Sequence, residues 1–97
     1  MSDQHYKLVF FAPPTVLEPI KSAISATGAG SHPGPGNYTQ VCFTTPGIGQ
    51  FFAGESSQPA VGDVGKVQEV GEVRCEILCV SEGVARDAVA ALKKYVL

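Results

Sequence analysis

Apolar residues alternate with a period of two in three stretches of the chain and recur at helical spacing in two others. The first stretch, HYKLVFFAP, puts Leu8 and Phe10 on one side of a strand and Val9 and Phe11 on the other, and Pro13 and Pro14 end it. Both sides are apolar. A sheet with helices on one face covers only one of them, so the free face needs a partner, and Val9 and Phe11 are expected at an interface. The run Lys7 to Ala12 also combines high strand propensity with low charge.

The segment TVLEPIKSAISATGAG changes period. Leu17, Ile20, Ile24 and Thr27 recur at helical spacing with Ala23 beside them, and Thr15 followed three residues later by Glu18 has the form of a capping box. Pro19 falls in the first turn, where proline is tolerated, and Gly28 is placed to end the helix with a left-handed cap. Residues 28–36, GAGSHPGPG, read as a loop.

From Asn37 the period returns to two, with Val41 and Phe43 opposite Cys42 and Thr44. The PGIG at Pro46 to Gly49 then predicts a turn or bulge before a short return through Gln50, Phe51 and Phe52. The segment AGESSQPAVGDVGK is a polar loop. In EVGEVRCEILCV, Val73, Cys75, Ile77 and Cys79 face one way and Glu72, Arg74 and Glu76 the other, which predicts one core face and one wet face. Last, Ser81 caps VARDAVAALKKY, whose stripe of Val84, Ala88, Ala91, Leu92 and Tyr95 is expected to be buried, with Lys93 and Lys94 suited to the C-terminal dipole.

The predicted order β, α, β, β, α is that of an α+β, ferredoxin-like sandwich with its last strand short or missing, since only Tyr95, Val96 and Leu97 remain. The first or third strand is then expected to keep an open edge. Ninety-seven residues suit one domain, 1–97, and 44% hydrophobic with 16% charged residues is ordinary globular composition. A net charge of −2 argues against nucleic acid and anionic membranes as partners. The start MSDQHYKLVFF lacks the features of a secretory signal, so a cytoplasmic location is expected. The three cysteines fit a reducing compartment, and Cys75 and Cys79, roughly 13 Å apart along one strand face, are too distant for a disulfide.

The chemistry-bearing motifs are sparse. GAGSHPG follows a helix instead of preceding one, GIGQFF lacks a third glycine, and GDVGK has the wrong spacing for a phosphate loop, so no nucleotide fingerprint is present. No cofactor and no metal site are expected; His5, His32 and Cys42 are the soft donors that come nearest to one. Glu72, Arg74 and Glu76 read either as a solvated strand face or as an ion-pair ladder in a ligand cleft.

Several runs taken together carry a resemblance. GNY at Gly36 to Tyr38, Cys42-Phe43, GxGxF at Gly47 to Phe51, P-x-x-G at Pro59 to Gly62, E-x-R-x-E at Glu72 to Glu76 and the helix ending ALKK follow one another in the order found in the insert domain of the NIF-three-like, dinuclear-metal-centre proteins. The chain resembles that insert over nearly its whole length. The resemblance implies a PII- and CutA-like fold and a trimeric homo-oligomer, with a partner protein or small anionic effector bound between subunits. It places no catalytic residue here, because the family's metal ligands lie in a flanking domain. On this reading His32, Gly36, Asn37, Tyr38, Gly47, Gly49, Phe51, Glu72, Arg74 and Glu76 are ligand or interface residues, and the glycines of GNY and GIG shape a twisted, bulged hairpin. A CutA-like divalent-metal binder is the alternative function. KKYVL stands where the family continues into an HPYE-type motif and a last strand.

Overall fold

The computed structural model describes residues 4–32, 37–56 and 63–95. Strand β1 (Tyr6–Ala12) leads through a 3-10 turn (Pro14–Val16) into helix α1 (Leu17–Ser25); β2 (Phe43–Phe52) and β3 (Val67–Cys79) follow, then helix α2 (Glu82–Lys93). The strands form one antiparallel sheet in the order β1-β3-β2. The molecule is therefore a small α+β unit.

Both helices pack on one face of this sheet. Phe10 and Ala12 from β1 and Val73, Cys75, Ile77 and Cys79 from β3 join Leu17, Ile20, Ile24 and Ala88 in a single core, each no more than 9% exposed. The alternation in β1 and β3 is thus met residue by residue. Burying these side chains is the main stabilising term, at roughly 1.5–3 kcal/mol for each large apolar group.

Local chemistry sets the helix ends. The Ser81 hydroxyl accepts from the Val84 N–H at 3.2 Å, which caps α2, and Lys93 lies in its last turn. Gly28 follows α1 at φ +100°, a conformation that favours glycine. Gly30, at φ +79°, is also required sterically, because a Cβ there would come within 2.7 Å of the Val41 carbonyl oxygen.

Four expectations are corrected. Thr15 makes no cap: the chain leaves Pro13 and Pro14 as a 3-10 turn, and α1 starts after Val16 with no side-chain hydrogen bond at its N-cap. Tyr95 is 48% exposed, because the helix has ended before it. The strand expected from Asn37 begins at Phe43. Upstream of it, Tyr38 bridges His32 and the Val41 N–H donates to the Gly30 carbonyl at 2.9 Å. PGIG makes no turn, and β2 runs straight through it with Pro46 paired to Val73 and Gly47 to Glu72. Proline is tolerated there because β2 is an edge strand, so the missing N–H costs no ladder bond on its outer side. The open edge expected of the first or third strand is found on β1; β3 is central, and β2 forms the other edge.

The register also creates an arm. Because β1 pairs only with Val73 to Cys79, residues 67–72 of β3 have β2 alone as a partner. Ile48, Phe52 and Val67 on this two-stranded extension are 74%, 63% and 61% exposed, and the whole molecule is drawn out to 51 × 22 × 19 Å.

Candidate functional site

The sheet face opposite the helices carries most of the candidate residues. Facing residues in an antiparallel ladder share a side, so the register groups Val9 with Glu76 and Phe43, Phe11 with Arg74 and Thr45, and Glu72 with Gly47. Val9, Phe11 and Phe43 are all exposed, Phe11 at 60% and Phe43 at 65%. An apolar stripe thus flanks a charged centre strand. No helix covers it.

Charge on that strand is arranged around Glu76. Its carboxylate, with only 19% of the side chain exposed, pairs with the Lys7 ammonium at 3.1 Å and with the Arg74 guanidinium. One anion thereby holds two cations and fixes their direction along the sheet. Glu72 is separate from this network and folds across the arm, where a Cβ at Gly49 would run into its carboxylate. Gly49 therefore makes room for Glu72, and a side chain there would push the flexible carboxylate aside. A shallow cavity of about 220 Å³ opens between Phe11, Thr45, Gly47, Glu72 and Arg74. An apolar floor with one guanidinium and one carboxylate is suited to hold a small polar group or a neighbour's side chain.

The remaining candidates lie elsewhere. His32 and Tyr38 exchange paired backbone hydrogen bonds of 2.9 and 3.2 Å, and their loop is tied to the end of β3 by the Gly30 N–H donating to the Leu78 carbonyl at 2.8 Å. Leu78 is six residues along β3 from Glu72, roughly 20 Å at strand rise, so the GNY region and the GIG region do not converge in one subunit. Asn37 and Tyr38 are exposed, and Gly36 lies outside the described residues, as do Pro59 to Gly62; Phe51, opposite Gln68, stays on the open face but half-buried far along the arm. The soft donors also separate. His5 and His32 meet edge to face with ring centroids 6.2 Å apart, while Cys42 lines a small cavity with Lys21, Glu18 and Gln40. Among the described residues no group of three or more His, Cys, Asp and Glu side chains could hold a metal ion.

Electrostatics on the helix side differ from those on the open side. Burial pushes the Cys75 thiol up to about 11, with the neighbouring Cys42 thiol adding to the shift, and burial likewise raises Cys79. These are core thiols held neutral. Lys21 is raised by its hydrogen bond to Glu18, at 3.0 Å.

Sequence reading missed Phe43 as the third apolar residue of the open face. The alternation around it was visible, but only the register with Glu76 and Val9 shows which face it joins.

No family model matches the chain. Its amino-acid sequence is 36% identical over 89 residues to a Halalkalibacterium halodurans protein named GTP cyclohydrolase 1 type 2 homolog, covering 92% of this chain and 23% of that protein. Proteins of the same name from Mycobacterium tuberculosis and Bacillus subtilis are 35% and 33% identical over 72 and 75 residues, covering 74% and 77% of this chain and 18% and 19% of theirs. A Bacillus cereus protein related to NIF3, known from its crystal structure, superposes with a TM-score of 0.74 at 28% identity, over 95% of this chain and 22% of that one. The chain thus spans about a fifth of the length of these relatives.

Proposed function

The chain is a NIF3-like domain, and on that premise we propose that it is a non-catalytic assembly or regulatory module of the family's insert type, forming a trimer through the uncovered face of its sheet. The observation that carries this reading is the exposure on that face of Val9 and Phe11 on β1 and of Phe43 on β2, on either side of the charged centre strand, where a second subunit would remove them from water. The sheet order β1-β3-β2 supports a split β-α-β, ferredoxin-like arrangement of the PII and CutA kind, spanning 1–97 as one domain.

The proposed module binds a partner protein or a small anionic effector between subunits. Arg74, held by Glu76 at the edge of the 220 Å³ cavity, is the cation such an effector would meet, and assembly would bring the His32 to Tyr38 loop of one copy toward the face of another. The relatives' name refers to a cyclohydrolase; the proposed module carries out no catalytic step. A cytoplasmic location, with neither nucleic acid nor membrane as partner, belongs to the same proposal; the net charge of −2 supports leaving out nucleic acid and anionic membranes. Among the described residues no helix is long and apolar enough to cross a membrane.

The test is Phe11→Glu, which puts a charge in the centre of the stripe. Size-exclusion chromatography with light scattering should show a trimer for the parent chain and a monomer with unchanged circular dichroism for the variant. A variant that assembles as the parent does would remove the open face from the interface.

A further inference from the structure

The cysteines gather on the helix side of the sheet, where Cys75 and Cys79 belong to the core and Cys42 packs against it. Thr44 pairs with Cys75, so Cys42, two residues earlier, comes up diagonally to Cys75 beside Ile77, and the Cys42 and Cys75 thiols share a hydrogen bond. Cys79 differs, since its thiol is directed at the Ile77 carbonyl, 4.0 Å away. The segment before β2 is held by the Val41 N–H bond to Gly30 at 2.9 Å, and Gln40, in the left-handed region at φ +57°, turns the chain ahead of Cys42. Cys42 is half-buried and opens into a cavity of about 110 Å³ that Glu18, Lys21 and Gln40 also line, whereas Cys75 behind it is fully buried. One sulfur of the pair can meet a small molecule; the other is sheltered.

We infer that Cys42 and Cys75 are a redox-active pair that hydrogen peroxide converts to a disulfide, with Cys42 the sulfur oxidised first and Cys75 the resolving thiol. The Cys42 thiolate attacks one peroxide oxygen: an S–O bond forms, the O–O bond breaks, and hydroxide leaves and takes a proton to become water. The Cys75 sulfur then attacks the Cys42 sulfenic sulfur: the S–S bond forms, the S–O bond breaks, and the hydroxyl departs with the Cys75 proton as a second water. Two electrons pass from the two sulfurs to the peroxide. Lys21, paired with Glu18 at 3.0 Å, places an ammonium near both sulfurs, where the attacking thiolate and the leaving hydroxide carry negative charge. Burial pushes Cys75 up to about 11, which keeps it a thiol near neutral pH and suits it to the second step. Diagonal neighbours across an antiparallel pair stand about 7–8 Å apart at Cα, somewhat beyond the usual disulfide span of about 4.4–6.8 Å. Cys42 precedes the first ladder pair, Phe43 with Glu76, so the closing movement falls on it. The closed bond would fasten the segment that follows Tyr38 to the centre strand. The pair lies within one subunit and is independent of the assembly reading.

The experiment treats the reduced, untagged chain with stoichiometric hydrogen peroxide, alkylates the thiols that remain, and maps the products by mass spectrometry. The expected result is the loss of two hydrogens per chain through a link between Cys42 and Cys75 within one subunit, with Cys79 alkylated, the link reopening under dithiothreitol. Cys79→Ser should close the same link at the parent's rate. Cys42→Ser should consume peroxide at least tenfold more slowly, and Cys75→Ser should stop at a sulfenic acid on Cys42 that dimedone traps. The parent chain decides the matter even if Cys75→Ser fails to fold. A link through Cys79, a link between chains, a Cys42 oxidised further with no link, or a parent that keeps all three thiols would each overturn the pair.

Discussion

Phe10 and Phe11 are chemically identical neighbours on β1, yet Phe10 is 5% exposed beneath the helices and Phe11 is 60% exposed on the other face of the sheet. The same division separates Cys75 and Ile77, both buried, from Arg74 and Glu76, which alternate with them in sequence and face outward. Thus apolar character on its own does not decide burial in a domain of this size. What decides it is the number of layers available, and two helices supply one covering layer for a strand that is apolar on both sides. Leaving Phe11 in water forgoes roughly 1.5–3 kcal/mol that a covering surface would recover, which is the physical case for assembly.

The sharpest way to probe the two faces is the same truncation on each. Phe10→Ala should cost about 3–5 kcal/mol in chemical denaturation, because it opens a cavity in the core. Phe11→Ala should cost the dissociated chain less than about 1 kcal/mol while weakening assembly measurably at dilution. Comparable losses in the monomer would erase the distinction between the faces.

A smaller effect separates the faces by pH. The folded state raises the Cys75 thiol from about 9 to about 11, so its contribution is fully present below the lower value and is lost as pH rises through the upper one. Denaturation midpoints should therefore fall between about pH 9 and 11, and less steeply in Cys75→Ala than in the parent. An identical slope would mean that the buried thiol is not the titrating group.

Capping tests come next. Ser81→Ala should lower stability by about 1 kcal/mol through loss of the bond to the Val84 N–H, whereas Thr15→Ala should be neutral within a few tenths. On the open face, Lys7→Ala should cost under about 1 kcal/mol and lose its effect in high salt, as expected for a half-exposed ion pair. A salt-independent loss would instead indicate that the Lys7 stem packs against the sheet.

These contrasts show which features were legible in the sequence. The two-sided apolarity of β1, the alternation of β3, the Ser81 cap and the Gly28 terminator are local patterns, and each is found in place. Pro46 was misleading because the cost of a proline in a strand depends on whether its outer edge is paired, and edge position is set by sheet order. Thr15 failed as a cap because Pro13 and Pro14 impose their own geometry on the entry to α1. The candidate site divided for a related reason. Motifs that follow each other in sequence, GNY and GIG, are separated by the sheet: Tyr38 lies in the loop tied to Leu78 at the end of β3, whereas Gly47 and Gly49 pair with Glu72 and Val70. The meeting of His5 with His32 had no sequence signal, since it arises from two anchors on Leu78 and Cys79.

The central claim is that the uncovered face is a subunit interface, and native mass spectrometry of the untagged chain at micromolar concentration tests it most directly. A trimer is expected for the parent chain and a monomer for Phe11→Glu. A parent chain that is monomeric throughout the accessible concentration range would contradict it.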